Sequence, residues 1–273
     1  MTKGLVFPQF NFPTVEIVSK TEVEKVCEKH GPYNAQVITF SDGQKEISGC
    51  PFCIEEEHKA EENLIELTNK IEVEKENLEK CRAANIRPEY YNKSLADYLP
   101  RTKGQEFAKA AVQKLIETKS GKIVILGSNG VGKTMLSSIA AKALGGKIYK
   151  QYEIATMIRQ SYSSNSDKTE MEIVKELSEI PFLAIDEVGR IANSEAVQNW
   201  FSAILDERHS RRLPFMITGN LHFRKNCSEN GCSKCFENYF DNDILSRLRQ
   251  NATIIVIKAP DERTDKSSVY FSD

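Results

Sequence analysis

The 273-residue sequence has no apolar run near the ~18 to 20 residues that a membrane-crossing helix needs, so no helical membrane span is expected. Residues 1–20 lack a basic stretch followed by an apolar one, so no secretory signal is expected and a reducing, cytoplasmic setting is. An excess of one charge is missing too, because 37 Lys+Arg against 39 Asp+Glu leave a formal net charge of −2. No whole-protein field then draws the chain onto nucleic acid or anionic lipid, and polynucleotide contact must come from a local patch or from assembly with a partner. Hydrophobic residues at 40% and charged residues at 28% exclude a disordered or fibrous chain. At ~150 residues per domain, the length fits one large core and a smaller appendage.

Cysteine, by contrast, is plentiful and clustered. Cys27, Cys50 and Cys53 lie early, Cys227, Cys232 and Cys235 lie late, and Cys81 stands alone. In a reducing compartment an odd count in two clusters points to metal or catalysis rather than disulfides. Residues 27–53 are turn-rich, and Val37, Ile38 and Phe40 are too few for a core, so something other than apolar burial must hold the segment. Cys27-x2-His30 and Cys50-x2-Cys53 supply four soft ligands in two knuckles, which suits a closed, structural Zn²⁺ site; unrelated thiols are the alternative. His222, Cys227, Cys232 and Cys235 form a second candidate set for Zn²⁺, the alternative being a strand-end histidine beside three free thiols.

Residues 54–85 contain neither proline nor glycine and are dense in helix formers. Leu64, Ile65, Leu67, Ile71, Leu78 and Cys81 recur at helical offsets and draw a narrow apolar stripe on a strongly acidic helix, with ten glutamates against four lysines between Glu55 and Lys80. It reads either as a solvated spacer or as a coiled-coil or partner-docking arm. The expected division is a zinc module at 1–53, a charged helical linker or arm at 54–86 and a third domain at 87–273.

From about Tyr90 the pattern alternates. Strands are expected at 122–127, 147–152, 181–186, 213–219 and 253–258, with helices at 134–144, 153–162, 168–179, 194–208 and 241–249. Five apolar strands with intervening helices argue for an α/β fold whose mostly parallel sheet is covered on both faces. The run Gly127-Ser128-Asn129-Gly130-Val131-Gly132-Lys133-Thr134 stands between an expected strand and an expected helix, the context of a phosphate-binding loop. There the backbone N–H groups and helix N-terminus face the β-phosphate, Lys133 reaches the β- and γ-oxygens, and Thr134 meets Mg²⁺. The apolar strand at 182–185 then ends in Asp186 and Glu187, a magnesium ligand and a carboxylate that can polarise the attacking water. Asn220 closes the next strand, where it can hold that water or sense the γ-phosphate. Arg247 and Arg249 follow on a helix, one of them a candidate finger reaching a neighbouring subunit's phosphate.

Gly127 to Thr134, Phe182 to Glu187, Thr218-Gly219-Asn220 and Leu245-Ser246-Arg247-Leu248 together resemble an AAA+ P-loop ATPase of the DnaC/IstB type, and in particular phage and prophage replicative helicase loaders with an N-terminal zinc-binding module. The likeness runs over about 85–258 and includes Ile86-Arg87-Pro88-Glu89-Tyr90-Tyr91, similar to that family's short lead-in segment. The resemblance implies ATP bound by Gly127, Ser128, Asn129, Gly130, Val131, Gly132, Lys133, Thr134 and Met135, and Mg²⁺ held by Thr134 and Asp186. It makes Glu187, Lys133, Asn220 and Arg247 the catalytic set, with Arg249 competing for the finger. Only 15 residues follow Lys258, too few for the helical lid of the wider AAA+ group, so slow, assembly-dependent hydrolysis is expected. The implied partners are a DnaB-type replicative helicase, single-stranded DNA and further copies of the chain, alone or templated by the helicase, with no membrane. Two rival readings stand beside the loader: a transposition helper ATPase on duplex DNA, and an adaptor that binds ATP but scarcely hydrolyses it. Arg208, His209, Arg211 and Arg212 form one compact basic run, read either as a DNA patch or as charge complementing a helix C-terminus. Lys168 and Lys175 are weaker candidates for a single-strand path.

Overall fold

The computed structural model describes residues 16–229, 231–250 and 252–260. The chain divides into two compact units, 1–74 and 75–273.

In the first unit, β1 (Ile17–Cys27), β2 (Gly31–Phe40) and β3 (Lys45–Ile47) form an antiparallel sheet in that order. The long strand β1 occupies eleven residues from Ile17, and residues 1–15 lie outside the described part. Cys27 pairs with Gly31 across a tight turn that carries His30, and Gly31 adopts φ +80°. Helix α1 (Pro51–Ala83) begins with proline at a position where the missing N–H is harmless. It runs through the expected glycine- and proline-free stretch, and its Leu64, Ile65, Leu67 and Ile71 are exposed. Among the described residues up to 74, the buried ones are Ala35 and Cys50.

The second unit is built on a five-stranded sheet. β4 (Lys122–Gly127), β5 (Lys147–Lys150), β6 (Leu183–Val188), β7 (Phe215–Gly219) and β8 (Ala252–Ile257) lie in the order β5-β6-β7-β4-β8, every pair parallel. Helices α2 (Lys103–Thr118), α3 (Lys133–Leu144), α4 (Gln151–Ser161), α5 (Glu170–Glu179), α6 (Glu195–Ser210), α7 (Phe236–Tyr239) and α8 (Asn242–Arg249) complete it. Alternation along β4 shows how both faces are covered. Val124 and Leu126 join a core with residues of α4, α5, α6, α7 and α8, whereas Ile123 and Ile125 join another with α2, α3 and the end of α1. Cys81, expected on the arm's apolar stripe, is fully buried in this second core.

Helix α2 was not expected from the sequence. It starts from a capping box in which the Thr102 side chain accepts from Gln105 N–H while the Gln105 side chain accepts from Thr102 N–H, and it buries Ala108, Val112 and Leu115. From β4 the chain crosses to the far edge at β5 and returns through β6 and β7. The carboxyl ends of β4, β6 and β7 therefore stand side by side, the place where open α/β sheets bind ligands. The absence of a full lid concerns residues 259–273, of which 261–273 lie outside the described part.

Candidate functional site

β4 ends at Gly127 and α3 begins at Lys133, so the glycine-rich loop lies between a strand end and a helix N-terminus, as its sequence requires. Two glycines are sterically forced. A Cβ on Gly127 would stand 2.5 Å from the Ile257 carbonyl oxygen, and one on Gly132, at φ +87°, would run into the Tyr98 ring. That ring is held in place, because Tyr98 is buried and its hydroxyl donates to the Val131 carbonyl at 3.0 Å. Lys133 Nζ donates to the carbonyl oxygens of Gly127 and Ser128 at 2.8 and 2.6 Å and to Asn220 Oδ1 at 2.9 Å. Asn220 in turn donates from Nδ2 to Asn129 Oδ1 at 2.7 Å, so the loop and the end of β7 are stitched together. A cavity of about 550 Å³ opens here, lined by Asn129, Lys133, Thr134, Asp186, Glu187 and Asn220.

The two acidic residues have separate surroundings. Asp186 is 2% exposed; its Oδ2 accepts from the Thr134 hydroxyl at 2.8 Å and its Oδ1 from the Thr218 hydroxyl and from Glu187 N–H at 2.8 Å. The expected magnesium pair is thus already in contact. The β6–β7 register slips between Ile185 and Val188, and Glu187 takes φ +57°, so the two carboxylates leave the strand in different directions. Glu187 enters a ring of cations: Arg190 at 2.6 Å, Lys150 at 3.5 Å and Arg87 at 3.5 Å. Partial burial works against its charge, but the hydrogen bond from Arg190 and the field of Lys150 outweigh it and hold the carboxyl below its usual value. Arg190 follows Glu187 by three residues, whereas Lys150 and Arg87 are brought from elsewhere in the chain and Thr218 from β7.

On α8 the two arginines differ. Arg247 Nε is ion-paired with Asp206 of α6, and its NH1 lies 3.4 Å from Ser202 Oγ. Arg249 is exposed and has no ion pair among the described residues. Of the basic run at 208–212, read either as a DNA patch or as helix C-terminal charge, His209, Arg211 and Arg212 are exposed but Arg208 is not part of any surface. Arg208 is fully buried, donating to the carbonyls of Leu177, Ser178, Ile180 and Pro214 at 2.6–3.3 Å; burial pulls it down to about 10, still charged at neutral pH. Arg211 pairs with Glu207 and Glu179, and Lys168 with Glu176.

The family described as "IstB-like ATP binding protein" matches residues 68–269. The chain belongs to that family. The replicative helicase loader DnaC of Escherichia coli K12 is 27% identical over 139 residues, which span 48% of this chain and 56% of that relative. The chain therefore spans little more than half the length of the curated relative it matches. A crystal structure of DnaI superposes with a TM-score of 0.50 at 24% identity, covering 63% of this chain and 95% of the other. One of the DnaC helicase loader superposes with a TM-score of 0.50 at 19% identity, covering 63% and 100%. The fold of this IstB-like protein is the AAA+ fold of the DnaC/IstB type.

The early Cys/His set of the IstB-like protein also comes together. Cys27, His30, Cys50 and Cys53 place one ligand atom each within 4.8 Å of one another. Cys27 and Cys53 sulfurs are 3.6 Å apart, and His30 Nδ1 lies 3.4–3.7 Å from the three sulfurs. Zinc–ligand bonds of about 2.3 Å to sulfur and 2.0–2.1 Å to nitrogen give tetrahedral edges of about 3.8 and 3.6 Å, so the residues fit Zn²⁺. Backbone N–H groups of Lys29 and His30 pull the Cys27 thiol down to about 6, while the hydrogen bond to Cys27 and burial push the Cys53 thiol up to about 11, so the two share one proton. Glu56, unremarked in the sequence, lies 3.3 Å from His30 Nε2 and also pairs with Lys29, the carboxylate–histidine arrangement that orients a ligating imidazole. The late set, His222, Cys227, Cys232 and Cys235, is likewise within 4.8 Å. Among the described residues no helix is long and apolar enough to cross a membrane.

Proposed function

We propose that this protein is a helicase loader that uses ATP: the zinc module at 1–53 and the acidic arm at 54–86 grip a DnaB-type replicative helicase, and the ATPase domain at 87–273 assembles on it. Hydrolysis at a subunit interface then releases the loader and leaves the helicase on single-stranded DNA. The observation that carries the ATP reading is the Lys133–Asn220 and Thr134–Asp186–Thr218 pair of contacts at the carboxyl ends of three adjacent parallel strands. The name of the DnaC relative and the exposed stripe of Leu64, Ile65, Leu67 and Ile71 support the loader and its docking arm.

The roles follow from position. Backbone N–H groups of 127–134 and the N-terminus of α3, with Met135 in its first turn, cradle the phosphates. Lys133, which now bonds two loop carbonyls, turns its ammonium onto the β- and γ-oxygens, and Asn220 holds the far side. Thr134 and Asp186 would hold Mg²⁺, which when bound neutralises charge on the β- and γ-oxygens. Glu187 orients the attacking water, and for this it must exchange its bonds to Arg190, Lys150 and Arg87. That exchange makes slow hydrolysis, quickened by assembly, the expected behaviour. A trans-acting finger comes from α8: Arg247 reaches a neighbour by leaving Asp206, whereas Arg249 is already exposed.

A pull-down of the full chain with a DnaB-type helicase, with and without Mg-ATP, tests the loader. A complex that responds to nucleotide and is lost in Lys133→Ala is expected. The absence of any nucleotide-sensitive complex would sink the loader and leave the transposition helper, which the same experiment with duplex DNA would reveal.

A further inference from the structure

Within the segment between β7 and α8, the stretch 224–234 supplies no large apolar side chain. It contains no Leu, Ile, Val, Met or aromatic residue, yet Cys232 and Cys235 are buried. The backbone already frames a site around them. His222 N–H donates to the Lys234 carbonyl at 3.1 Å, Phe236 N–H donates to the His222 carbonyl at 2.8 Å, and His222 bridges Cys235 as a one-residue parallel ladder. Cys235 N–H closes the Cys-x2-Cys turn on the Cys232 carbonyl at 3.1 Å, and the Asn238 side chain donates to that same carbonyl at 3.0 Å. His222 Nε2 stands 3.7 Å from Cys232 Sγ, close to the about 3.6 Å edge of a tetrahedral zinc site. Three thiolates and one imidazole leave no open coordination position and select a soft divalent ion, so the chemistry is that of a structural centre.

We propose that His222, Cys227, Cys232 and Cys235 bind a second Zn²⁺, inside the ATPase unit, and that this ion ties the backbone leaving Asn220 to the backbone entering α8. Asn220 lies two residues before the first ligand and bonds Lys133 and Asn129; Cys235, the last ligand, caps α7, whose Tyr239 and Phe240 lead into α8. Phe223 packs at a tilt against the fully buried Phe236, ring centroids 5.5 Å apart, so the ligand-bearing backbone is anchored on the core from one side and by the ion from the other. The metal site stands independently of the function proposed above. Only its coupling to the phosphate-facing Asn220 and the arginine-bearing α8 rests on that reading.

Zinc content of the purified full chain tests the site. Two equivalents are expected for the wild type, one for Cys50→Ser, one for Cys232→Ser and none for the double variant. A Cys232→Ser chain that holds as much zinc as the wild type overturns it. Cobalt substitution in Cys50→Ser gives a check that leaves the second site untouched: a single tetrahedral, thiolate-bound Co²⁺ spectrum supports the site, and its absence contradicts it. Hydrogen exchange then tests the tie. In Cys232→Ser, amides of residues 221–223 and of α8 should exchange at least tenfold faster while α2 keeps its protection; unchanged exchange at 221–223 with one zinc lost, or a rise spread equally over α2, overturns the tie. Failure of the wild type to bind ATP would count against the proposed function and leave the zinc count as it is.

Discussion

The two units reach an ordered structure by different means. In the C-terminal unit, a parallel sheet buries β-branched and aromatic side chains on both faces, and even a buried arginine donates to four carbonyls through its two terminal nitrogens, its Nε alone left without a partner. In the N-terminal unit, three strands and the start of α1 bury Ala35 and Cys50 alone among the described residues, and Cys27, His30, Cys50 and Cys53, a set that fits Zn²⁺, bring the turn of the hairpin beside the first turn of the helix. The difference teaches where each unit is vulnerable: one to cavities and unsatisfied polar groups, the other to loss of a metal.

The largest expected effect is therefore metal removal from the N-terminal unit. Structural zinc supplies about 10–16 kcal/mol of coupled binding and folding free energy in small domains. Chelation or Cys53→Ser should abolish protection of β1 and β2 amides in hydrogen exchange while β4 and β6 stay protected. Retained protection of β1 and β2 would erase the contrast. Next comes Arg208→Met, which strips four carbonyls of a charged donor and should lower the stability of the C-terminal unit by about 3–5 kcal/mol in urea unfolding. A change below about 1 kcal/mol would show that the carbonyls find other partners. The smallest is Glu56→Gln, which keeps the ligands but weakens the acceptor at His30 Nε2; zinc affinity measured by competition with a chelator should fall about 10-fold to 100-fold. An unchanged affinity would reduce Glu56 to a partner of Lys29.

How much was legible in the sequence follows the same contrast. The phosphate loop is a contiguous string whose chemistry depends on neighbours in sequence, and so are the strand ending in Asp186-Glu187 and the two Cys knuckles; each was found where its spacing placed it. Helix α2 is legible in the sequence after all: Ala108, Val112 and Leu115 recur at helical spacing behind the Thr102–Gln105 capping box, a pattern as clear as that of the helices expected elsewhere. Lys150 and Arg87 around Glu187 and the hydroxyl of Thr218 on Asp186 escaped because they come from distant parts of the chain, while Arg190, three residues after Glu187, could have been read. Arg208 misled for the opposite reason: a basic run at a helix end looks like a surface patch, and only the carbonyls of α5 and of Pro214, distant or inconspicuous in sequence, show that it is a core bolt.

The central claim is that Glu187 serves chemistry while Lys133, Thr134 and Asp186 serve binding. It is tested most directly by measuring Mg-ATP binding and phosphate release, with helicase and single-stranded DNA present, for the wild type and Glu187→Gln. The account predicts nucleotide affinity within about threefold of the wild type and phosphate release lowered at least 100-fold, a difference of about 2.7 kcal/mol or more in the barrier. Equal rates of release in the two proteins would contradict it and leave a nucleotide-binding adaptor in its place.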